Sequence, residues 1–150
     1  MEDGNQYLDG CPVQILREVL EDGTDEFIGD ITIVRESPQR AWVGPEDEDN
    51  LRKPVGDPSI LYSIGDYLAP THHRRGIMST TLRTLINEWA IPRMNCKKIS
   101  ATAFVGNAAS IGVFKKVGFE HVGDMTKALT LPPSRGGHSM GVHLLEWACK

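Results

Sequence analysis

Alternating apolar and polar residues in the first part of the chain predict strands. Residues 12–20 and 26–34 are rich in apolar and β-branched side chains, and the turn sequence EDGT lies between them. Two such segments joined by a short turn are typical of a β-hairpin. Residues 59–69 are also strand-like, and this third strand is expected to end at Pro70.

The period of the apolar positions then changes to that of a helix. Between residues 76 and 91 they recur at helical spacing, which predicts an amphipathic helix with one buried face. Pro92 is expected to end this helix, because proline lacks the N–H group that helical hydrogen bonding needs. The buried face consists of Met78, Leu82, Leu85, Ile86 and Trp89.

The second half of the chain alternates strands with one more helix. Asn107 is a favourable N-cap for that helix, and Gly118 stands where a left-handed residue commonly ends one. The predicted elements are a strand at 97–105, a helix over 107–117, a strand from Phe119 onward, a Pro- and Gly-rich loop at 129–140 and a strand at 142–148. The order β-β-β-α-β-α-β-β predicts an α/β (α+β) protein with a mixed sheet and helices packed on it.

The chain is expected to form a single domain over residues 1–150, a length that suits one hydrophobic core. Residues 35–58 carry four prolines and the acidic run EDED. They predict a long acidic loop, either simply solvated or acting as a lid over an amine substrate. Residues 1–11 are expected to be a disordered segment or an N-terminal arm.

Composition and charge exclude several classes of function. The net charge of −4 argues against nucleic-acid or membrane-surface binding, which needs a basic field. No apolar run approaches the ~20 residues of a membrane span, and the acidic N-terminus differs from a signal peptide. Cys11, Cys96 and Cys149 are widely spaced, so neither a disulfide framework nor a thiolate metal site is expected. We therefore predict a cytoplasmic protein with reduced thiols.

The stretch YLAPTHHRRGIMSTTL, residues 67–82, places a basic turn between the third strand and the first helix. A helix that begins near Gly76 leaves its first N–H groups unpaired, and these groups together with the helix dipole favour an anion. Gly76 also lacks a side chain where a phosphate must approach closely. The stretch therefore matches a pyrophosphate site in outline. A metal or nucleic-acid patch and a solvated basic turn are the alternatives, and metal binding is disfavoured because the adjacent His72 and His73 point to opposite sides of an extended segment.

A second segment, GNAASIGVFKKVGF at residues 106–119, makes the interpretation more specific. The first segment resembles the Arg/Gln-x-x-Gly-x-Gly/Ala motif, and the second resembles the Asn-x-x-Ser…Gly-Phe helix, of the GNAT superfamily of acyl-CoA-dependent N-acetyltransferases. The resemblance covers residues 26 to 123 and is strongest to the branch that includes the ribosomal-protein amino-terminal acetyltransferases. It implies a GNAT-like, mostly antiparallel sheet and acetyl-CoA as co-substrate, with no metal.

The resemblance also implies which residues hold the coenzyme. Backbone amides of the strand-to-helix loop bind its pyrophosphate, and two diverging strands hold its pantetheine arm. Two positions depart from the motif, since His73 replaces Arg or Gln and Met78 replaces Gly or Ala, but the expected donors are backbone groups. The residues at the matching positions are Leu68, Ala69, His73, Arg74, Arg75, Gly76, Ile77, Met78, Ser79, Asn107, Ser110 and Phe114.

The catalytic residues are less clearly marked. Asp66 is the first candidate for a general base, because strand alternation places it on the same face as Leu68, although a plain surface carboxylate is the alternative. Ser110 matches a serine near the coenzyme sulfur, or it only caps its helix. In several relatives a tyrosine protonates the leaving thiolate, and Phe114 stands at that position, so Ser110 or water would supply the proton. Reserve candidates for the base are His121, His138, His143 and Glu146.

The predicted activity is transfer of an acetyl group to a primary amine of a small molecule or a protein N-terminus, by direct attack in a ternary complex. A catalytically degenerate acyl-CoA-binding module and a ligand-free interaction domain are the alternatives. Family members usually begin with a strand and two helices that the first eleven residues cannot supply. Three explanations for this missing unit are open: the chain is an incomplete gene product, it pairs into a dimer through the edge of its first strand, or it has lost a specific acceptor while keeping coenzyme binding. We expect an amine-bearing acceptor, no nucleic-acid or membrane partner, and a monomer or homodimer.

Overall fold

The structure is a computed structural model that describes residues 6–37 and 49–150. Its strands are β1 (Ile15–Val19), β2 (Asp25–Arg35), β3 (Leu61–Leu68), β4 (Lys98–Phe104), β5 (Glu120–Thr130) and β6 (Ser139–Ala148). Within the described ranges they form one six-stranded sheet in the order β1-β2-β3-β4-β6-β5. All neighbouring strands are antiparallel except β3 and β4, which are parallel. The predicted mixed, mostly antiparallel sheet is confirmed.

The helices lie in the predicted places along the chain. They are α1 (Ile77–Leu85), a π-helical turn (Ile86–Ala90) that leads directly into α2 (Ile91–Met94), and α3 (Ala108–Val117). Asn107 caps α3, since its side chain accepts a hydrogen bond from the Ser110 N–H at 3.1 Å. Gly118 ends α3 in the left-handed conformation, with φ 104°. The predicted element order is therefore confirmed.

The prediction that Pro92 ends the first helix is wrong. Within the preceding π-helical turn the Ile91 N–H bonds to the Ile86 carbonyl, five residues back rather than four. This shift places Pro92 in the first turn of α2, where its missing N–H needs no helical partner. The helix instead ends after Met94, because Asn95 adopts a left-handed φ of 52°.

The helices cover one face of the sheet and bury the core there. The predicted helical face is confirmed: Met78, Leu82 and Ile86 are buried, and Leu85 and Trp89 pack against them partly buried. The sheet side of this core comes from alternate positions on the central strands. These positions are Ile31, Ile33, Tyr62, Ile64, Ile99, Ala101, Ala103, Leu145 and Trp147.

Residues 6–11 form an arm that lies against the sheet and the end of the helix. The Leu8 N–H bonds to the Arg93 carbonyl at 2.7 Å, and Arg35 pairs with Asp9 at 2.7 Å. Cys11 is buried and its N–H bonds to the Ile33 carbonyl. Residues 1–5 of the expected N-terminal segment, and residues 38–48 of the expected acidic loop, lie outside the described residues.

The three cysteines are free thiols, and burial raises the pKa of Cys96 to about 12. In the described ranges, every helix is too short or too polar to cross a membrane.

Candidate functional site

The two parallel strands at the centre of the sheet separate along their length. Pairing between β3 and β4 covers only residues 61–63 and 98–100. Because their carboxyl-terminal halves are not hydrogen-bonded to one another, a gap opens there. A cavity of about 890 Å³ lies at this gap, lined by the end of β3, the following loop and the first turns of α1 and α3. The divergence of two strands implied by the family resemblance is therefore present.

The backbone N–H and carbonyl groups of Leu68 point into this gap. The Ala69 N–H bonds to the Ile28 carbonyl at 2.7 Å, on the β2 side. Peptide groups alternate between the two sides of a strand, so the neighbouring Leu68 N–H and carbonyl point towards β4. The Leu68 carbonyl accepts a hydrogen bond from His73 Nε2 at 2.7 Å. The Leu68 N–H is therefore the remaining donor here, because the Ala69 N–H is already bonded to β2. The expectation that Ala69 contacts the coenzyme stays a prediction.

The loop between β3 and α1 presents a row of unpaired donors. Within residues 6–37 and 49–150, the six backbone N–H groups of residues 74–79 donate no hydrogen bond. Arg74 and Gly76 both have left-handed backbones, with φ of 63° and 73°. At Gly76 an added Cβ would meet only Ser79 Oγ at 4.0 Å, so the space above the loop is open. The loop can therefore accept an anion close to its backbone.

Two helix N-termini converge on the same cavity. Ile77, Met78 and Ser79 at the start of α1 line it, as do Asn107 and Ser110 at the start of α3. The positive ends of both helix dipoles therefore add to the potential at the loop. The basic side chains that line the cavity are His72, His73, Arg74 and Lys116.

Glu18 on β1 ties the loop to the sheet. Its carboxylate accepts hydrogen bonds from His72 Nε2 at 2.5 Å and from Arg75 at 2.9 Å. These hydrogen bonds, from His72 and then Arg75, hold the pKa of Glu18 below its usual value. The Arg75 side chain is therefore turned towards β1 and does not line the cavity, while its backbone N–H stays among the unpaired donors of the loop. Sequence reasoning missed Glu18, which lies 54 positions before His72 and carries no local signal.

Asp66 faces the cavity from β3. Burial, and secondarily the neighbouring Asp30 charge, raises the pKa of Asp66 from 3.8 to about 6. A carboxylate with this pKa is mostly ionised at neutral pH and is a stronger base than an exposed aspartate. The structure thus brings Asp66 to the same cavity as Gly76, Asn107 and Ser110.

Ser110 and Phe114, one turn apart on α3, differ in their surroundings. Ser110 is half-buried and lines the cavity. Phe114 is 1% exposed and packs in the core against Phe119, with ring centroids 5.1 Å apart. It does not line the cavity, and its assignment to the coenzyme-contacting residues stays a prediction.

The four reserve residues do not line the cavity. His121 and His143 instead meet at Asp124, on β5 and β6. Glu146 lies 3.2 Å from Lys98 and borders a second cavity of about 340 Å³ with Ser100, Thr102 and Leu144. Strand alternation places Glu146, Ser100, Thr102 and Leu144 on the face opposite the helices. His121 and His143 lie directly across from the core residues Leu145 and Ala103, so they share the face that the helices cover.

A sequence model described as the acetyltransferase (GNAT) domain matches residues 5–120. The chain therefore belongs to the GNAT acetyltransferase family, as its two motifs predicted. No curated protein matches the chain significantly.

Solved structures share the fold. Ribosomal-protein-S5-alanine acetyltransferase from Vibrio fischeri has 20% identity and a TM-score of 0.60, covering 82% of this chain and 55% of that one. Ribosomal-protein-alanine N-acetyltransferase from Brucella melitensis has 19% identity and a TM-score of 0.62, and the match covers 90% of this chain and 68% of that one. The yncA protein from Salmonella typhimurium, solved with its cofactor acetyl-CoA, has 17% identity and a TM-score of 0.59, covering 83% and 59%. The chain thus spans little more than half of the first of these proteins.

Proposed function

We propose that the chain is an acetyl-CoA-dependent N-acetyltransferase. It moves an acetyl group to a primary amine of a small molecule or a protein N-terminus, by direct transfer in a ternary complex. The observation that carries this proposal is the row of unpaired N–H groups at residues 74–79, beside a cavity of about 890 Å³ at the end of β3, where β3 is no longer paired with β4. Few ligands other than a diphosphate joined to a long, flexible arm would use both features.

The described residues fit this co-substrate. The amides of residues 74–79 and the N-terminus of α1 hold the pyrophosphate, and Gly76 lets it approach the backbone. The Leu68 N–H points into the gap as a donor for the pantetheine arm or the acetyl carbonyl. Asn107 uses its side-chain oxygen to cap α3, which leaves its amide N–H groups for the arm.

The chemistry asks mainly for positioning and one proton transfer. Acetyl-CoA supplies the acetyl group as an activated thioester. A cavity that holds the amine beside that group contributes ~7–11 kcal/mol to lowering the barrier. Asp66 accepts the proton of the substrate's ammonium group. A base positioned in this way accelerates the reaction ~10²–10⁴-fold. The Ser110 hydroxyl, or a water that it holds, returns a proton to the departing sulfur.

A coenzyme A release assay with a library of amines and N-terminal peptides tests the proposal. We expect acetyl-CoA to be consumed only with an acceptor, and acetylated amine to form in equal amount. Turnover without any acetylated amine would contradict the N-acetyltransferase assignment.

A second function, an acyl-CoA-binding module without turnover, is favoured by one observation. The side chain at the position of the family tyrosine is Phe114, which cannot donate a proton and is buried in the core. Coenzyme A binding in calorimetry, with no product from the whole library, would support this module instead. The cytoplasmic location, the lack of nucleic-acid or membrane partners and the monomeric or homodimeric state stay predictions.

A further inference from the structure

Three metal-ligating side chains meet on the outer strands of the sheet, away from the cavity. Asp124 on β5 lies directly opposite His143 on β6. The same Asp124 oxygen accepts hydrogen bonds from His143 Nδ1 and, at 2.8 Å, from His121 Nε2. One ligand atom from each of the three residues lies within 4.8 Å of the other two.

A β-bulge builds this cluster. His121 and Asp124 are three residues apart, and in a regular strand they would project from opposite faces. The register shifts between His121 and Gly123, so that Val122 has no partner on β6. The extra residue returns Asp124 to the face of His121, which places both side chains beside His143. The two imidazole rings are 5.4 Å apart, edge to face.

We propose that His121, Asp124 and His143 form a binding site for Zn²⁺. Two imidazole nitrogens and one carboxylate oxygen are a ligand set that this ion uses, with a fourth position left for water. Zinc bound at ~2.0–2.2 Å from each atom requires small ring movements, because the ligand atoms already converge. The bound ion joins β5, the edge strand, to β6. This site is independent of the proposed acetyl transfer.

The charge and access of the cluster suit a cation. The Asp124 side chain is 51% exposed and that of His121 is 42% exposed, so an ion reaches them from solvent. Asp124 contributes a carboxylate oxygen and the two histidines contribute imidazole nitrogens, so the donor atoms suit a divalent cation.

A second cluster in the described ranges, Glu18, Glu26 and His72, fits a metal less well. Arg75 lies 2.9 Å from Glu18 and already supplies the cation there. A zinc ion would have to displace this arginine, whereas no arginine or lysine pairs with Asp124 among the described residues.

Isothermal titration of the chain with ZnCl₂, and Co²⁺ absorption displaced by Zn²⁺, test the site. We expect one equivalent to bind and the unfolding midpoint to rise with zinc. His143→Gln and His121→Ala should each weaken zinc binding by at least about tenfold, the lower bound seen for groups that only support a metal ligand. His138→Ala, at an exposed histidine outside the cluster, should bind as the wild type does.

Two results would contradict the proposed zinc site. The first is that the wild-type protein binds no zinc, and the second is that His121→Ala binds zinc as tightly as the wild type. An equal loss in His138→Ala points to non-specific binding, and loss in Glu18→Gln alone points to the other cluster. Far-UV circular dichroism confirms that each variant is folded.

Discussion

At the scale of single residues, Asp66 joins the proposed chemistry to a measurable pH dependence. Its pKa near 6 predicts that kcat/KM rises as the pH increases through about 6, because the deprotonated carboxylate is the active form. Asp66→Asn should lower kcat by ~10²–10⁴-fold and remove this rise. The matched control is Asp30→Asn, which should keep activity and move the midpoint to lower pH, since the Asp30 charge helps to raise the Asp66 pKa. An unchanged profile in Asp66→Asn would assign the base elsewhere.

The same carboxylate makes a prediction about stability. Folding raises the Asp66 pKa, so the folded state binds this proton more tightly than the unfolded chain does. The contribution to stability is full below the unfolded pKa of 3.8 and is lost as the pH rises through about 6. Asp66→Asn should therefore raise the free energy of unfolding at pH 7, by ~1–3 kcal/mol. Urea unfolding at pH 4 and 7 measures the difference, which should nearly vanish at pH 4.

Gly76 tests the anion site at one position. Gly76→Glu places a carboxylate beside the unpaired N–H groups, so coenzyme A should no longer raise the melting temperature. Gly23→Glu is the matched control, because Gly23 has a similar left-handed φ of 84° in the β1–β2 turn and lies far along the chain from the cavity. It should carry the same backbone strain and keep the coenzyme shift. A shift that survives in Gly76→Glu would show that the coenzyme binds elsewhere.

At the scale of elements, the first hairpin supports the loop through Glu18. Glu18→Gln keeps a hydrogen-bonding group but removes the charge that pairs with His72 and Arg75. We expect coenzyme A to bind about threefold to tenfold more weakly, because the loop loses its ion pair between Arg75 and Glu18 and the hydrogen bond of His72 to a charged carboxylate. Glu26→Gln is the control, since Glu26 lies 4.0 Å from His72 and makes no hydrogen bond to it. Equal affinities in the two variants, measured by calorimetry at low salt, would show that the loop keeps its shape without Glu18.

The helical element shows how a local rule depends on its context. Proline is incompatible with a regular helix interior, yet the π-helical turn before Pro92 turns that position into the start of a new helical segment. No residue of the INEWA segment, residues 86–90, predicts a π-helical turn by itself. The wider turn depends on how Ile86 and Ala90 pack into the core, where both are almost fully buried.

At the scale of the whole molecule, ligand binding and folding are coupled. Coenzyme A at a hundred times its Kd should stabilise the fold by about 2.7 kcal/mol, which raises the melting temperature by ~5–11 °C for a domain of this length. Pantetheine, which lacks the pyrophosphate, should give a much smaller shift at the same concentration. Equal melting-temperature shifts with the two ligands would show that the loop at residues 74–79 does not bind the pyrophosphate.

Much of the architecture could be read from local patterns. Strand alternation, the helical spacing from Met78 to Trp89 and the caps at Asn107 and Gly118 depend on near neighbours, and all of them are present in the structure. The open loop with its unpaired N–H groups could also be anticipated, because a glycine at a strand-to-helix corner has local consequences for backbone shape.

Contacts between distant segments could not be read in this way. The contacts of Glu18 with His72 and Arg75, the burial of Phe114 and the meeting of His121 with His143 depend on strand order and register. The raised pKa of Asp66 likewise depends on burial that only packing creates. The amino-acid order alone determined which segments become strands and helices and where the open strand-to-helix loop lies, since these follow from short-range backbone geometry. Only the tertiary structure decided which charges pair, which side chains reach the cavity and where two histidines share a carboxylate, since those outcomes require segments far apart in sequence to become neighbours.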